Sequence, residues 1–340
     1  MATSRRRFIG TALAAGFASS RALAGTAPRY DAKEYRTGAL GKIVGTLPPG
    51  RYDVHVHVYP GKADPGKLVA SFAEAGLQGG CIFSERPLKW EESWPDPLPP
   101  GEAMDRVIEW ASGSPTIYPF YWIDPVRPDA VDLVDMAVEK GIYGFKVIRG
   151  EGRPVDEKSL PVYARIAKHN KPVTFHSGIL WDGRPSSDNF RPANWEGLLA
   201  VPGLRFALAH ISWPWCDECI AVYGKLLNAV LKHGEKVPEM FIDTTPGTPR
   251  IYRREALTKV FTVGYDIFDH VMFGSDCRTA SYNAKWTKGW FTVDDGVYAE
   301  LGLDGNAVDS IYRTAVQRYL FGGDNSNRKV PTPDGSEKRT

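Results

Sequence analysis

The stretch RYDVHVHVYP, residues 51–60, places His55 and His57 one residue apart in an otherwise apolar run. A strand has a period of two, so residues i and i+2 point the same way. Asp53, His55 and His57 are therefore expected on one face, and Val54, Val56 and Val58 on the other. A hydrogen-bonded core histidine is the ordinary reading of either ring alone. Two of the chain's seven histidines on one face, with Tyr59-Pro60 ending the strand, point instead to a metal site.

Outward from this stretch, short apolar runs alternate with amphipathic ones. Strands are predicted at 52–59, 79–84, 116–123, 144–148, 173–176, 205–211, 240–244 and 271–275. Helices are predicted at 67–75, 104–111, 130–140, 160–169, 195–200, 218–233, 253–263 and 307–321. This alternation predicts a single-domain (β/α)8 TIM barrel over residues 50–322. A doubly wound sheet would more often carry a Gly-rich phosphate loop after its first strand, where this chain has HVHVYPGKADPGK.

A barrel of this type gathers chemistry at the C-terminal ends of its strands. His57, Lys146, His176 and His210 fall at or near the ends of strands one, four, five and six. Asp276 falls just past strand eight. His169 and His233 sit at helix C-termini and His270 precedes strand eight, so these three are assigned to structure or surface.

The ends of the chain read differently. Residues 1–24 combine a basic start, a mildly apolar middle and an Ala22-Leu23-Ala24 cleavage site. Ser4-Arg5-Arg6-Arg7-Phe8-Ile9 resembles the bacterial twin-arginine export signal, which implies a periplasmic or otherwise exported protein. Residues 25–49 form an N-terminal extension, and the polar 323–340 tail is expected to be disordered. The chain has 42 basic and 40 acidic residues. Losing the signal's four arginines leaves 38 basic against those 40, so no basic footprint for nucleic acid or membrane remains. The apolar stretch is too short for stable membrane insertion. A small molecule is the expected partner, and a homo-oligomer is open.

HVHVYP, FKVIRGE, FHSG, LAHISWPW and FGSDC, in this order, resemble the amidohydrolase superfamily in its amidohydrolase-related (amidohydrolase-2) branch. IYRTAVQRYLFG is similar to that branch's closing helix, with Ala315 near where an Asn is often found. The resemblance implies metal ligation by His55, His57, His176 and Asp276, with His210 beside the metal-bound water. Three imidazoles and a carboxylate suit one divalent ion, Zn²⁺ first and Mn²⁺ second. Such an ion makes hydroxide available near neutral pH, and Asp276 could shuttle its proton while His210 bonds the substrate oxygen. Lys146 is either an anion binder beside one metal or, less favoured, a carboxylated bridge between two.

On the same rim, Arg149, Arg250 and Arg278 suit carboxylates, while Trp181, Trp213, Trp215, Trp286 and Trp290 suit flat rings or simply fill space. Lys146, Arg149, Trp213, Arg250 and Arg278 are the expected substrate-binding residues. The favoured function is metal-dependent hydrolysis of a lactone, ester or cyclic amide in a small acidic, ring-containing substrate. A non-oxidative decarboxylase of a ring carboxylic acid is the alternative, and a non-catalytic exported binding protein the third reading. Cys216 and Cys219 form an isolated C-x-x-C, read as an incidental pair of thiols or a disulfide made after export. Cys277 is given no role.

Overall fold

The computed structural model describes residues 46–89, 95–149, 151–233, 237–322, 330–331 and 337–338. The expected signal at 1–24, most of the 25–49 extension and most of the 323–340 tail lie outside the described residues, as does Gly234. In the tail, Val330–Pro331 pairs antiparallel with Glu337–Lys338.

Strands and helices alternate as β1 (Arg51–His57), α1 (Pro65–Ala75), β2 (Leu77–Phe83), α2 (Pro100–Ala111), β3 (Ile117–Trp122), α3 (Ala130–Lys140), β4 (Gly144–Val147), α4 (Leu160–Lys168) and β5 (Pro172–Phe175). After two 3-10 segments come β6 (Arg205–Leu208), α5 (Cys216–His233), β7 (Glu239–Asp243), α6 (Arg250–Thr262), β8 (Val271–Met272), β9 (Cys277–Arg278) and α7 (Ala284–Glu300). The chain then runs through α8 (Gly305–Asp309), one π turn and α9 (Ala315–Phe321).

All neighbouring strands in the main sheet are parallel, in the order β8-β7-β6-β5-β4-β3-β2-β1-β9. β8 and β9 are two pieces of one irregular eighth strand. β8 pairs with β7, β9 pairs with β1, and Val54 N–H donates to Phe273 O at 2.9 Å between them. The sheet thereby closes on itself as a (β/α)8 barrel. Inside it, Tyr52, Val54, Phe83, Phe120, Phe241 and Met272 pack on Ala315, Val316, Tyr319 and Leu320 of α9. A second apolar layer joins the outer strand faces to the helices, with Val56, Leu68, Val107, Val134, Ile166 and Leu257 among its members.

Three local expectations are corrected. β1 does not alternate evenly, because its register with β2 shifts between Asp53 and Val56. Tyr52 and Val54 join the interior while the Asp53 carboxylate accepts from His55 N–H, Ser275 N–H and Tyr282 O–H and does not join the two imidazoles. Strand six ends at Leu208, because His210, Ile211 and Ser212 all take left-handed φ values of 64°, 50° and 54°. Finally, Trp286 and Trp290, expected on the active rim, lie on a helix, α7. Its Gly289, Gly296 and β-branched residues are weak helix formers, and burial of Thr287, Trp290, Phe291, Asp294, Val297 and Tyr298 on one face holds it.

Candidate active site

A cavity of about 330 Å³ opens at the C-terminal end of the barrel, lined by His55, His57, His176, His210 and Asp276. Each arrives by a specific device. His55 and His57 come from the end of β1, past its register shift. His176 follows β5, and His210 sits at the left-handed turn after β6. Asp276 also has a left-handed φ of 60°, which Asp tolerates better than most side chains. Two glycines leave room for rings. A Cβ on Gly274 would stand 2.6 Å from His55 Cβ, and one on Gly247 would stand 2.8 Å from His210 Cβ.

His55 Nε2 lies 3.2 Å from His57 Nε2, and Asp276 Oδ1 lies 3.7 and 3.4 Å from those two nitrogens. His55 Nδ1 donates to Asp243 Oδ2 at 2.6 Å, which leaves the Nε2 lone pair directed at the other two groups. Burial, reinforced by the nearby Lys146 ammonium, holds His55 well below the usual imidazole range. Burial does the same for His176, with His210 and Lys146 adding to it, and burial also lowers His210. Burial alone would raise Asp276, but the His57 hydrogen bond and the neighbouring imidazoles outweigh it and keep the carboxylate ionised.

This donor set fits a divalent cation. Neutral imidazole nitrogens and a carboxylate are ordinary zinc ligands, and a tetrahedron with metal–ligand bonds of about 2.0–2.1 Å has edges of roughly 3.3–3.4 Å. The three separations match that scale. Among the described residues, His55, His57 and Asp276 form the one close group of this kind. His176 stands outside it, its ring centroid 4.9 Å from that of His210. His176 Nε2 and His210 Nδ1 are buried without a hydrogen-bond partner, as expected of donors kept for a ligand.

The residues expected to bind substrate separate into two groups. Trp213 and Arg278 line the cavity, and the Arg278 guanidinium lies 3.9 Å over the Tyr59 ring. Lys146 is fully buried beneath the histidines, its Nζ 3.4 Å from His55 Nε2, and burial pushes it down to about 8. Arg149 is turned to Asp156 at 2.7 Å, and Arg250 lies over Trp290 at 5.0 Å; neither lines the cavity. Trp181 lines the mouth, whereas Trp290 is packed under α6 and Trp286 donates to Ser275 O. Cys216 and Cys219 are buried free thiols, pushed up by burial to about 11 and about 12.

Sequence reading missed Asp243, a lone acid in FIDTT at the end of strand seven. It also missed Glu85 and Arg86, which line the cavity after β2. Glu85 is buried and paired with Arg106 at 3.1 Å, and Arg86 donates to Pro95 O. The strand-end rule alone could have found all three.

A family model described as Amidohydrolase matches residues 52–296, from β1 into α7. The chain belongs to the amidohydrolase family. This amidohydrolase is therefore a hydrolase of a metal-dependent family. No curated protein matches its sequence. Among solved structures it is similar to a probable 2-pyrone-4,6-dicarboxylic acid hydrolase from Acinetobacter baumannii crystallised with citric acid. The two share 12% identity and a TM-score of 0.52 over 80% of this chain and 99% of the other. A dihydroorotase from Campylobacter jejuni is 14% identical with a TM-score of 0.49 over 80% and 84% of the chains. An amidohydrolase 2 from Bifidobacterium longum subsp. infantis is 14% identical with a TM-score of 0.49 over 79% and 98%.

Proposed function

We propose that this amidohydrolase opens a lactone, ester or cyclic amide in a small acidic, ring-containing substrate, using one divalent ion, Zn²⁺ or Mn²⁺. The observation that carries the reading is the convergence of His55 Nε2, His57 Nε2 and Asp276 Oδ1 at 3.2–3.7 Å. Those three would hold the ion, with His176 as the further donor. When bound, such an ion polarises the scissile carbonyl and supplies a water acidic enough to react at neutral pH.

The chain's own groups do the rest. Asp276, ionised and partly open to the cavity, accepts the proton of the attacking water and returns it to the leaving oxygen or nitrogen. His210, which lines the cavity, bonds the substrate oxygen. Arg278 provides a fork for a carboxylate, and Trp122, its ring centroid 5.6 Å from that of His57, limits water at the reacting end. Export by the signal expected at residues 1–24 belongs to the same proposal, and fractionation of cells making an Arg5→Lys/Arg6→Lys variant tests it.

The test is hydrolysis of a panel of lactone, ester and cyclic-amide acids, including 2-pyrone-4,6-dicarboxylate, followed by proton release. Asp276→Asn is expected to lower kcat by about 10²–10⁴. Release of CO₂ without ring opening would replace the hydrolase reading with the decarboxylase.

A further inference from the structure

The cavity is lined both by a polar set, the histidines, Asp276 and Arg278, and by the rings of Trp181 and Trp213. The Trp181 and Trp213 rings are nearly parallel, at 20° with centroids 6.4 Å apart. Tyr252 continues the row beyond Trp213 at 29° and 6.2 Å. Trp181 is 80% exposed and Tyr252 48% exposed. A tryptophan so placed leaves most of its flat face in water beside a substrate cavity, and stacking of a planar ring is the contact such a face favours. The three residues come from different loops, after β5, after β6 and in the first turn of α6, so their alignment is not a local periodicity.

We propose that Trp181, Trp213 and Tyr252 form a stacking subsite for a second planar ring of the substrate, beyond the acidic group held near Arg278. The substrate class is then an aryl-extended carboxylic acid. The inference rests on the cavity being the substrate site. It does not depend on which bond is cleaved.

Direct binding tests it without turnover. The probes are benzoate, biphenyl-4-carboxylate and 4-cyclohexylbenzoate, titrated calorimetrically into the full chain. The biphenyl acid is expected to bind at least tenfold more tightly than benzoate and severalfold more tightly than its equally apolar cyclohexyl analogue. Trp181→Ala should erase the biphenyl advantage with benzoate unchanged, and Trp181→Phe should keep most of it. Equal affinities in the wild type, or a biphenyl advantage that survives Trp181→Ala, would overturn the subsite. So would sedimentation of Trp181→Ala as a smaller species than the wild type, which would assign the row to a second copy of the chain. Failure of hydrolysis on the panel above, with the probe ladder intact, would sink the hydrolase chemistry and leave the subsite standing.

Discussion

Asp243 Oδ2 accepts a 2.6 Å hydrogen bond from His55 Nδ1, with both side chains buried in the barrel mouth. The other oxygen, Oδ1, accepts from Thr245 N–H at 2.8 Å and from the Thr245 hydroxyl. The carboxylate is thus held from one side and orients a ring on the other, fixing which His55 nitrogen carries the lone pair.

Asp243→Asn replaces one acceptor by a donor, so either His55 or Thr245 loses its partner. Metal affinity is expected to fall about 10–100-fold with the barrel still folded. Competition against a chromophoric chelator reads this directly, and unchanged affinity would remove Asp243 from the orienting role.

Gly274, in the eighth strand, packs directly against this pair. A Cβ there would stand 2.0 Å from Thr245 Oγ1 and 2.6 Å from His55 Cβ, and neither neighbour is free to retreat. Gly274→Ala should lower stability by about 1–3 kcal/mol and reduce bound metal. Urea unfolding and elemental analysis check both, and wild-type values in each would show that the contact relaxes harmlessly.

Lys146 gives a pH signature in metal-free protein. Burial pushes it down to about 8, against the opposing charges of Asp243 and Asp276. Between roughly pH 8 and its unfolded value of about 10.4, the unfolded chain holds a proton that the folded chain has lost. Stability should therefore rise with pH through that window, on the order of 3 kcal/mol in total, with the full penalty present below it. Compared with Lys146→Met at about pH 7.5 and about pH 9.5, the wild type should gain on the variant. Parallel curves would mean that Lys146 keeps its ordinary proton affinity.

Arg253 of α6 and Asp294 of α7 are both fully buried and joined through two bonds, of 2.8 and 2.6 Å. Arg253 also donates to Thr244 O, tying both helices to the end of β7. Asp294→Ala leaves a buried charge and should cost about 3–5 kcal/mol, while Arg253→Met with Asp294→Leu should recover part of it. A denaturation midpoint unmoved by Asp294→Ala would contradict this.

The barrel was legible because its strands and helices carry different periods, and the rim because five reactive residues fall at strand ends. His55, His57 and Asp276 could be read for that reason. The even alternation of β1 could not hold, since Asp53 accepts from both His55 N–H and Ser275 N–H and bends the strand. α7 escaped because tertiary burial, not helix propensity, holds its Trp- and Gly-containing sequence. Arg149 was legible as a rim cation but not as a partner of Asp156, a choice made by loop packing. Asp243 belongs to no sequence motif and gains its role only when strands one and seven meet across the barrel.

The most direct test of the central claim is metal content per chain, by elemental analysis of protein purified without chelator or added metal. About one divalent ion is expected in the wild type, lost in His55→Ala and retained in Lys146→Met. No ion in the wild type even after reconstitution, or the same content in His55→Ala, would contradict it.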